Sequence, residues 1–132
     1  WHTPSLGQLA LARFIDEGQL LRHIRRCHDV YAGRRERLQH WFSGPLSPWF
    51  TLVPATAGFH VAALARVPLD IARLLRRARR ADVGLIALDA FYHGEQRQHG
   101  LYLGYGAIDT LDIDAALAIV LAILKEMLPL PA

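Results

Sequence analysis

The strongest constraint on the fold is a long stretch of helical periodicity near the start of the chain. Between Gln19 and Trp41 the apolar side chains recur at intervals of three, four or seven residues, which is the spacing of one helical face. They are Leu20, Ile24, Cys27, Tyr31, Leu38 and Trp41. Charged side chains occupy the opposite face: Arg22, Arg25, Arg26, Arg34, Arg35 and Glu36. The pattern predicts one long amphipathic helix with a buried apolar stripe and a solvated charged face.

Start and stop signals predict two shorter helices. Pro4 and Ser5 begin the first of them, and Gly18 ends it. Pro68 and Asp70 mark the start of the other. Its apolar stripe is Ile71, Leu74, Leu75 and Ala78, with Arg73, Arg76, Arg77 and Arg80 pointing outward.

Four short runs have the composition of strands. They are 49–53, 59–64, 83–88 and 101–105, with a polar loop predicted over 89–99. Thr110 or Asp112 is predicted to cap a final helix that Pro129 ends. Because the strands come in pairs and do not alternate with helices, the order favours an α+β fold, a small and mainly antiparallel sheet with helices packed on one face.

Length and composition are those of a single compact domain, since 132 residues are 52% hydrophobic and 20% charged. The most apolar stretch, 113–124, is interrupted by Asp114 and is too short to cross a membrane. A lone cysteine, Cys27, cannot form an internal disulfide, so we expect a cytoplasmic protein. The chain opens at Trp1 with no methionine before it, and we expect it to be part of a longer protein.

Most residues that could carry chemistry have a structural interpretation. His23 and His28 are five apart on a helix, and the loop histidines lack thiolate support, so no metal site is predicted. Cys27 lies in the apolar stripe, where thiols usually pack as small hydrophobic groups. The serines do not lie in a strand-to-helix nucleophile elbow. We therefore predict no catalytic residue in this chain.

Neither the glycines nor the arginines form the complete motif of a phosphate-binding or nucleic-acid-binding module. The segment 104–106 contains two glycines but not the longer pattern of a phosphate loop, so it is interpreted as a strand end and a turn. The net charge is only +3. An arginine cluster remains, consisting of Arg73, Arg76, Arg77, Arg79 and Arg80. Such a cluster can track a nucleic-acid backbone, but a solvated helix face is the commoner explanation.

A series of segments, in order along nearly the whole chain, resembles the aminotransferase-like part of MocR-type transcriptional regulators. The segments 9–18, 21–26 and 31–38 look like the helical link into the small domain of that family. The later segments 57–61, 83–85, 90–92 and 100–105 resemble its strands and aromatic loop. MocR-type proteins are GntR-class regulators that join a winged-helix domain to a class I/II aminotransferase-like domain of fold type I.

The resemblance implies that residues 1–132 are the carboxy-terminal small domain, with 1–18 as the linking helix and 19–132 as the small domain proper. It implies pyridoxal phosphate in the full-length protein, bound to a lysine of an upstream large domain, and DNA bound through an N-terminal winged helix. A homodimer, a small amine or amino-acid-like effector and no membrane are expected. Lys125 is the only lysine and is expected on an exposed turn, so the chain alone should hold no cofactor and have no autonomous activity.

One residue is singled out as facing the effector. In aminotransferases the small domain contributes an arginine that grips the substrate carboxylate, and the resemblance places Tyr102 at that position. Carboxylate recognition would then be weakened or relocated. Alternatively, Tyr102 is a cross-strand packing residue. Two other functions also stay open: the small domain of a true class I/II aminotransferase, and an independent basic nucleic-acid-binding module.

Overall fold

The structure, a computed structural model, describes residues 4–55, 58–95 and 98–128. The chain divides into two compact units, residues 1–33 and 34–132. The first contains helix α1 (Ser5–Asp16) and the start of helix α2 (Gln19–Ser43). Gly18 follows α1 with φ +70°, a left-handed conformation that glycine adopts at low cost. The predicted end of the first helix is confirmed.

Burial in the first unit differs from the prediction. None of its described residues is buried, and Ile24 of the predicted apolar stripe is 52% exposed. Cys27 is half-buried, with its Sγ atom 3.4 Å from Nε2 of His23, so the expected burial of the thiol is wrong. The reason is size, because a unit of 33 residues cannot enclose whole apolar side chains.

The second unit contains a four-stranded sheet in which every pair of neighbouring strands is antiparallel. The strands are β1 (Phe50–Leu52), β2 (His60–Ala65), β3 (Ile86–Ala87) and β4 (Gly100–Gly104). Their spatial order is β1, β2, β4, β3. With helices α3 (Ile71–Arg80) and α4 (Thr110–Met127), this arrangement confirms the predicted α+β fold.

The core lies on one face of this sheet, as the alternation of side chains along a strand requires. Val61 is paired with Leu103, and Ala63 with Leu101, and all four are buried. The apolar stripes of α3 and α4 and the end of α2 are buried with them: Ile71, Leu74, Ala78, Ile113, Leu117, Val120, Leu124, Leu38 and Phe42. Alternate residues of β2 and β4 therefore lie on a second, open face.

The third strand and the loop after it differ from the prediction. Only Ile86 and Ala87 pair with β4, and Leu88–Phe91 form a 3₁₀ helix within the predicted strand and loop. The backbone N–H of Val83 donates to the carbonyl of Ala78 at 2.9 Å. Because this bond holds the start of the segment against the end of α3, the strand begins three residues late.

The start of α4 also differs from the prediction. Its cap position is Asp109, not Thr110 or Asp112, and no side-chain capping bond forms there. The Asp109 carboxylate instead lies 3.4 Å from the Arg34 guanidinium, which also donates to the carbonyl of Gly106 at 2.7 Å. Arg34, predicted to be solvated, thus has a side chain only 13% exposed. The predicted stop at Pro129 lies outside the described residues.

The start of α3 agrees with the sequence. The side chain of Asp70 accepts a hydrogen bond from the backbone N–H of Arg73 at 2.8 Å, which caps the helix as predicted.

Within the described part of the chain, no helix combines the length and apolar character needed to span a bilayer.

The start of α4 is tied to α2 through one partly exposed carboxylate, which makes stability depend on pH. Asp114 Oδ1 accepts from Nε of Arg37 at 2.6 Å and from Nε1 of Trp41 at 2.7 Å. The hydrogen bonds from Arg37 and then Trp41 lower the pKa of Asp114 below its ordinary value of 3.8. A carboxyl group with a lowered pKa stabilises the folded state above the unfolded-state pKa and loses that contribution as the pH falls further.

Replacing Asp114 with asparagine should therefore destabilise the chain near neutral pH and flatten the loss of stability below about pH 4. Urea midpoints at pH 6 and about pH 3 measure both effects. Asp112→Asn, at an exposed position two residues away, is the matched control and should keep the acid slope of the wild type. An unchanged slope in Asp114→Asn would contradict the assignment.

Candidate functional site

Tyr102 lies in the middle of β4, on the open face of the sheet. It is paired with Ala62 of β2 on one side and with Ile86 of β3 on the other, and it is half-buried. Its chain neighbours Leu101 and Leu103 are buried on the opposite face. The backbone thus presents the Tyr102 ring away from the core.

Two further rings contact Tyr102. The His60 ring is stacked on it, with centroids 4.8 Å apart and planes at 13°. The Phe91 ring, from the 3₁₀ helix, lies at 4.5 Å and is tilted by 50°. We call His60, Phe91 and Tyr102 the aromatic trio. Phe91 is 54% exposed and His60 is also exposed, so ring surface of the trio is accessible on this face of the sheet.

A glycine makes the stacking of His60 geometrically feasible. Gly104 is directly opposite His60 in the β2–β4 ladder. A Cβ atom at position 104 would lie 3.1 Å from Cδ2 of His60, closer than side chains normally approach. Because glycine leaves this space free, the imidazole can lie over β4 and reach Tyr102.

Gly104→Ala should consequently push the imidazole of His60 off Tyr102 and leave the fold intact. The expected cost in stability is about 0.5–1.5 kcal/mol, the range for the loss of one ring contact. Ring-current shifts of the Tyr102 protons would report the displacement. Gly84→Ala, where a Cβ atom meets nothing within 4 Å, serves as the control. Unmoved Tyr102 signals in Gly104→Ala would contradict this role for Gly104.

The two central strands, β2 and β4, carry no permanently charged side chain on the face that holds the trio. The open-face positions of β2 and β4 are His60, Ala62, Leu64, Gly100, Tyr102 and Gly104. Arg66, one residue beyond β2, donates to the carbonyl of Ser47 at 3.0 Å. Within the described residues, neither β2 nor β4 therefore presents an arginine or lysine of its own to a carboxylate on this face. Ring faces, by contrast, attract cations and stack on apolar or ring-shaped ligands.

The remaining residues singled out in the sequence lie elsewhere. Lys125 is exposed in the last turn of α4, as expected, and does not belong to the trio. In the ranges that the structure describes, no group of three histidine, cysteine, aspartate or glutamate side chains could hold a metal ion. Tyr105, at the predicted strand end, is buried and donates its hydroxyl to the carbonyl of Gly58 at 2.7 Å.

The arginine cluster is confined to α3. Arg73, Arg76, Arg79 and Arg80 are exposed, and Arg77 forms an ion pair with Glu126 of α4. The apolar stripe of the same helix is buried, so the cluster is the outer face of an amphipathic helix.

The sequence pointed to Tyr102 but not to its two ring partners. His60 and Phe91 fall within the segments that carry the family resemblance, yet the reason for their importance is spatial. The pairing of His60 with Gly104 depends on strand register, and Phe91 depends on a 3₁₀ helix that the sequence pattern does not reveal. A glycine opposite an aromatic residue is the signal that could have indicated the stacking.

Comparison with known proteins gives one regulator and a group of enzymes. No family model matches the chain. It is 34% identical over 109 residues to the probable rhizopine catabolism regulatory protein MocR of Rhizobium meliloti. This match covers 82% of the chain but 22% of the regulator, so the chain spans about a fifth of that relative.

Among solved structures, the chain is similar to LysN, an α-aminoadipate aminotransferase from Thermus thermophilus, with a TM-score of 0.79 and 21% identity. It is also similar to a kynurenine aminotransferase of Pyrococcus horikoshii, with a TM-score of 0.76 and 20% identity. The chain is covered to 96% and 89%, the enzymes to 32% and 29%. The fold is that of the aminotransferase small domain.

Proposed function

Because the chain belongs to the family of MocR-type regulators and has the fold of the aminotransferase small domain, we propose that it is the effector-facing carboxy-terminal domain of a pyridoxal-phosphate-dependent transcriptional regulator. The 34% identity to MocR over most of the chain carries this proposal. The whole protein would be a cytoplasmic homodimer. Its upstream large domain would hold the cofactor and an N-terminal winged helix would bind DNA, with 1–18 as the linking helix.

The residues of this chain do not fit pyridoxal phosphate by themselves. Cofactor capture requires an amine placed to condense with the aldehyde, in a site that excludes water. The only lysine, Lys125, is exposed at the end of α4. The two aminotransferase structures were solved with pyridoxal-type ligands, PMP in one and N-(5'-phosphopyridoxyl)-L-leucine in the other. We propose that the cofactor of the full-length protein lies on its large domain, and that this chain shapes the adjoining pocket.

Tyr102 is proposed to face the effector, together with its two ring partners. The trio offers ring surface, a phenol and an imidazole, and the central strands offer no cation. Such a surface suits a small amine better than a ligand recognised through a carboxylate, because a ring face attracts an ammonium group. This chemistry favours a sensor that binds and responds to an amine over a transaminase specialised for amino acids.

Turnover tests the proposal that the chain is not catalytic alone. The 132-residue chain, mixed with pyridoxal phosphate, an amino acid and a keto acid, should produce no more new amino acid than the Lys125→Ala variant does. Turnover that the wild type has and Lys125→Ala lacks would overturn it. The full-length protein distinguishes the enzyme alternative, since steady turnover with an amino donor is expected of a true aminotransferase.

Among the described residues, the exposed arginines of α3 favour the nucleic-acid alternative. Phosphate contacts by four arginines would make binding steeply dependent on salt. The proposed function instead predicts that the 132-residue chain leaves duplex DNA unshifted at low salt.

A further inference from the structure

A cavity of about 400 Å³ lies in the second unit, between the lead-in to β3, strand β4 and helix α4. Its lining includes Leu85 and Ile86 from the β3 segment, Leu103 of β4, and Ile113 and Leu117 of α4. The volume is at the lower end of the range for small-ligand pockets. The walls are mainly apolar.

The cavity follows from the shortness of β3. Pairing with β4 extends only over Ile86 and Ala87, because Val83 is bound to the end of α3. The backbone before Ile86 therefore does not pair with β4. Residues 103 and 104 of β4 pair with β2 on one side and face a gap on the β3 side. Gly84 lines this gap, and a Cβ atom built on it meets nothing within 4 Å.

The charged side chains that line the cavity and the recess beside it are all positive. Arg79 is the one charged residue among those that line it, and Arg79 is exposed on α3. Together with Arg76 it also lines an adjoining recess of about 330 Å³, whose other residues are Ala72, Leu75 and Leu85. No acidic side chain lines either space. An apolar wall with a guanidinium at its margin complements an aliphatic chain that ends in an anion.

We propose that this cavity binds an amphiphilic carboxylate, with an aliphatic chain of about eight to ten carbons inside and the carboxylate beside Arg79. The proposal does not depend on the proposed function. Tyr102 borders the cavity as well, so a ligand there would lie next to β4, the strand that contributes Tyr102 to the aromatic trio. Arg79 would recognise the carboxylate, and Gly84 is a lining position with free space beside it.

Three amphiphiles of equal length test the ligand class, each kept below its micellar concentration. They are decanoate, decanol and decyltrimethylammonium, titrated into the isotope-labelled 132-residue chain and followed by amide chemical shifts. Decanoate should bind with a dissociation constant on the order of 0.1–1 mM, as expected of a small ligand. Its shifts should cluster at residues 83–86 and 102–105. Decanol should bind about two- to fivefold more weakly, and decyltrimethylammonium more weakly still.

Two kinds of variant test the apolar lining and the Arg79 charge separately. Gly84→Leu places a side chain in the open space and should weaken decanoate and decanol alike by at least tenfold. Ala116→Leu, from α4, fills the same cavity and replaces Gly84→Leu if that variant fails to fold. Arg79→Gln should bring decanoate down to the affinity of decanol, whereas Arg73→Gln, an exposed arginine of α3 outside the lining, should change neither.

Three results would overturn the proposal. One is equal binding of all three amphiphiles to the wild type, which would indicate non-specific hydrophobic binding. Another is binding that survives in both cavity-filling variants. The last is shifts confined to residues 5–30, which would place the amphiphiles on the exposed apolar side chains of the first unit.

Discussion

Replacing Gly100 with alanine is expected to lower the free energy of unfolding by about 3 kcal/mol. Gly100 begins β4 and is paired with Leu64 of β2. A Cβ atom there would overlap the carbonyl oxygen of Ala63 and lie 2.9 Å from Cδ1 of Leu88. A backbone carbonyl cannot rotate away as a flexible side chain can, so the two central strands would have to separate.

Urea unfolding of the 132-residue chain measures this effect. Gly84→Ala is the matched control, since its new methyl group enters open space, and its free energy of unfolding should stay within about 0.5 kcal/mol of the wild type. If Gly100→Ala were as stable as Gly84→Ala, the described contact between β2, β4 and the 3₁₀ helix would be wrong.

Replacing Tyr102 with arginine is expected to give the full-length protein a preference for carboxylates of about tenfold or more. The reason is that a bidentate pair between arginine and a carboxylate is worth several times a neutral hydrogen bond, and β2 and β4 supply no cation on this face. Two probes of equal chain length, 4-aminobutyrate and butylamine, isolate the carboxylate. Their affinities can be read from the change that each causes in the absorption of the bound cofactor.

For the wild type we expect the two probes to differ by less than about threefold, and for Tyr102→Arg we expect 4-aminobutyrate to be preferred. Tyr102→Phe keeps the stacked ring and should keep the selectivity of the wild type. An unchanged preference in Tyr102→Arg would mean that position 102 does not face the ligand, and would favour its alternative role in cross-strand packing.

Local patterns predicted most of the fold. The helical period in α2, the Asp70 cap and the glycine after α1 depend on neighbours within one or two turns, and each agrees with the structure. The early end of the strand pairing could not be predicted. It depends on a bond from Val83 to the end of α3, and a run of strand-forming residues contains no information about that competing bond.

The site was predictable only in part for a related reason. The family resemblance led to Tyr102, but the contacts that give the ring its surroundings come from residues 42 and 11 positions away in the chain, His60 and Phe91. Likewise, the sequence pattern predicted that Arg34 is solvated. Its guanidinium instead donates hydrogen bonds to carbonyls of the β4–α4 loop. Periodicity describes one element at a time, and these contacts join several.

In the first unit the sequence pattern predicted buried side chains that the structure shows to be exposed or half-buried. The apolar stripe of α2 predicted core residues, yet Ile24 is 52% exposed and Leu20 is only half-buried. A stripe identifies side chains that gain from burial, and whether they are buried depends on how much surrounding chain is present.

DNA protection by the full-length protein distinguishes an amine-sensing regulator from an aminotransferase. With pyridoxal phosphate bound, the wild type should protect a defined segment of the DNA upstream of its own gene, and an amine effector should change that protection. Tyr102→Ala should protect the same segment but no longer respond to the amine. A full-length protein that protects no DNA and steadily transaminates amino acids would contradict the account.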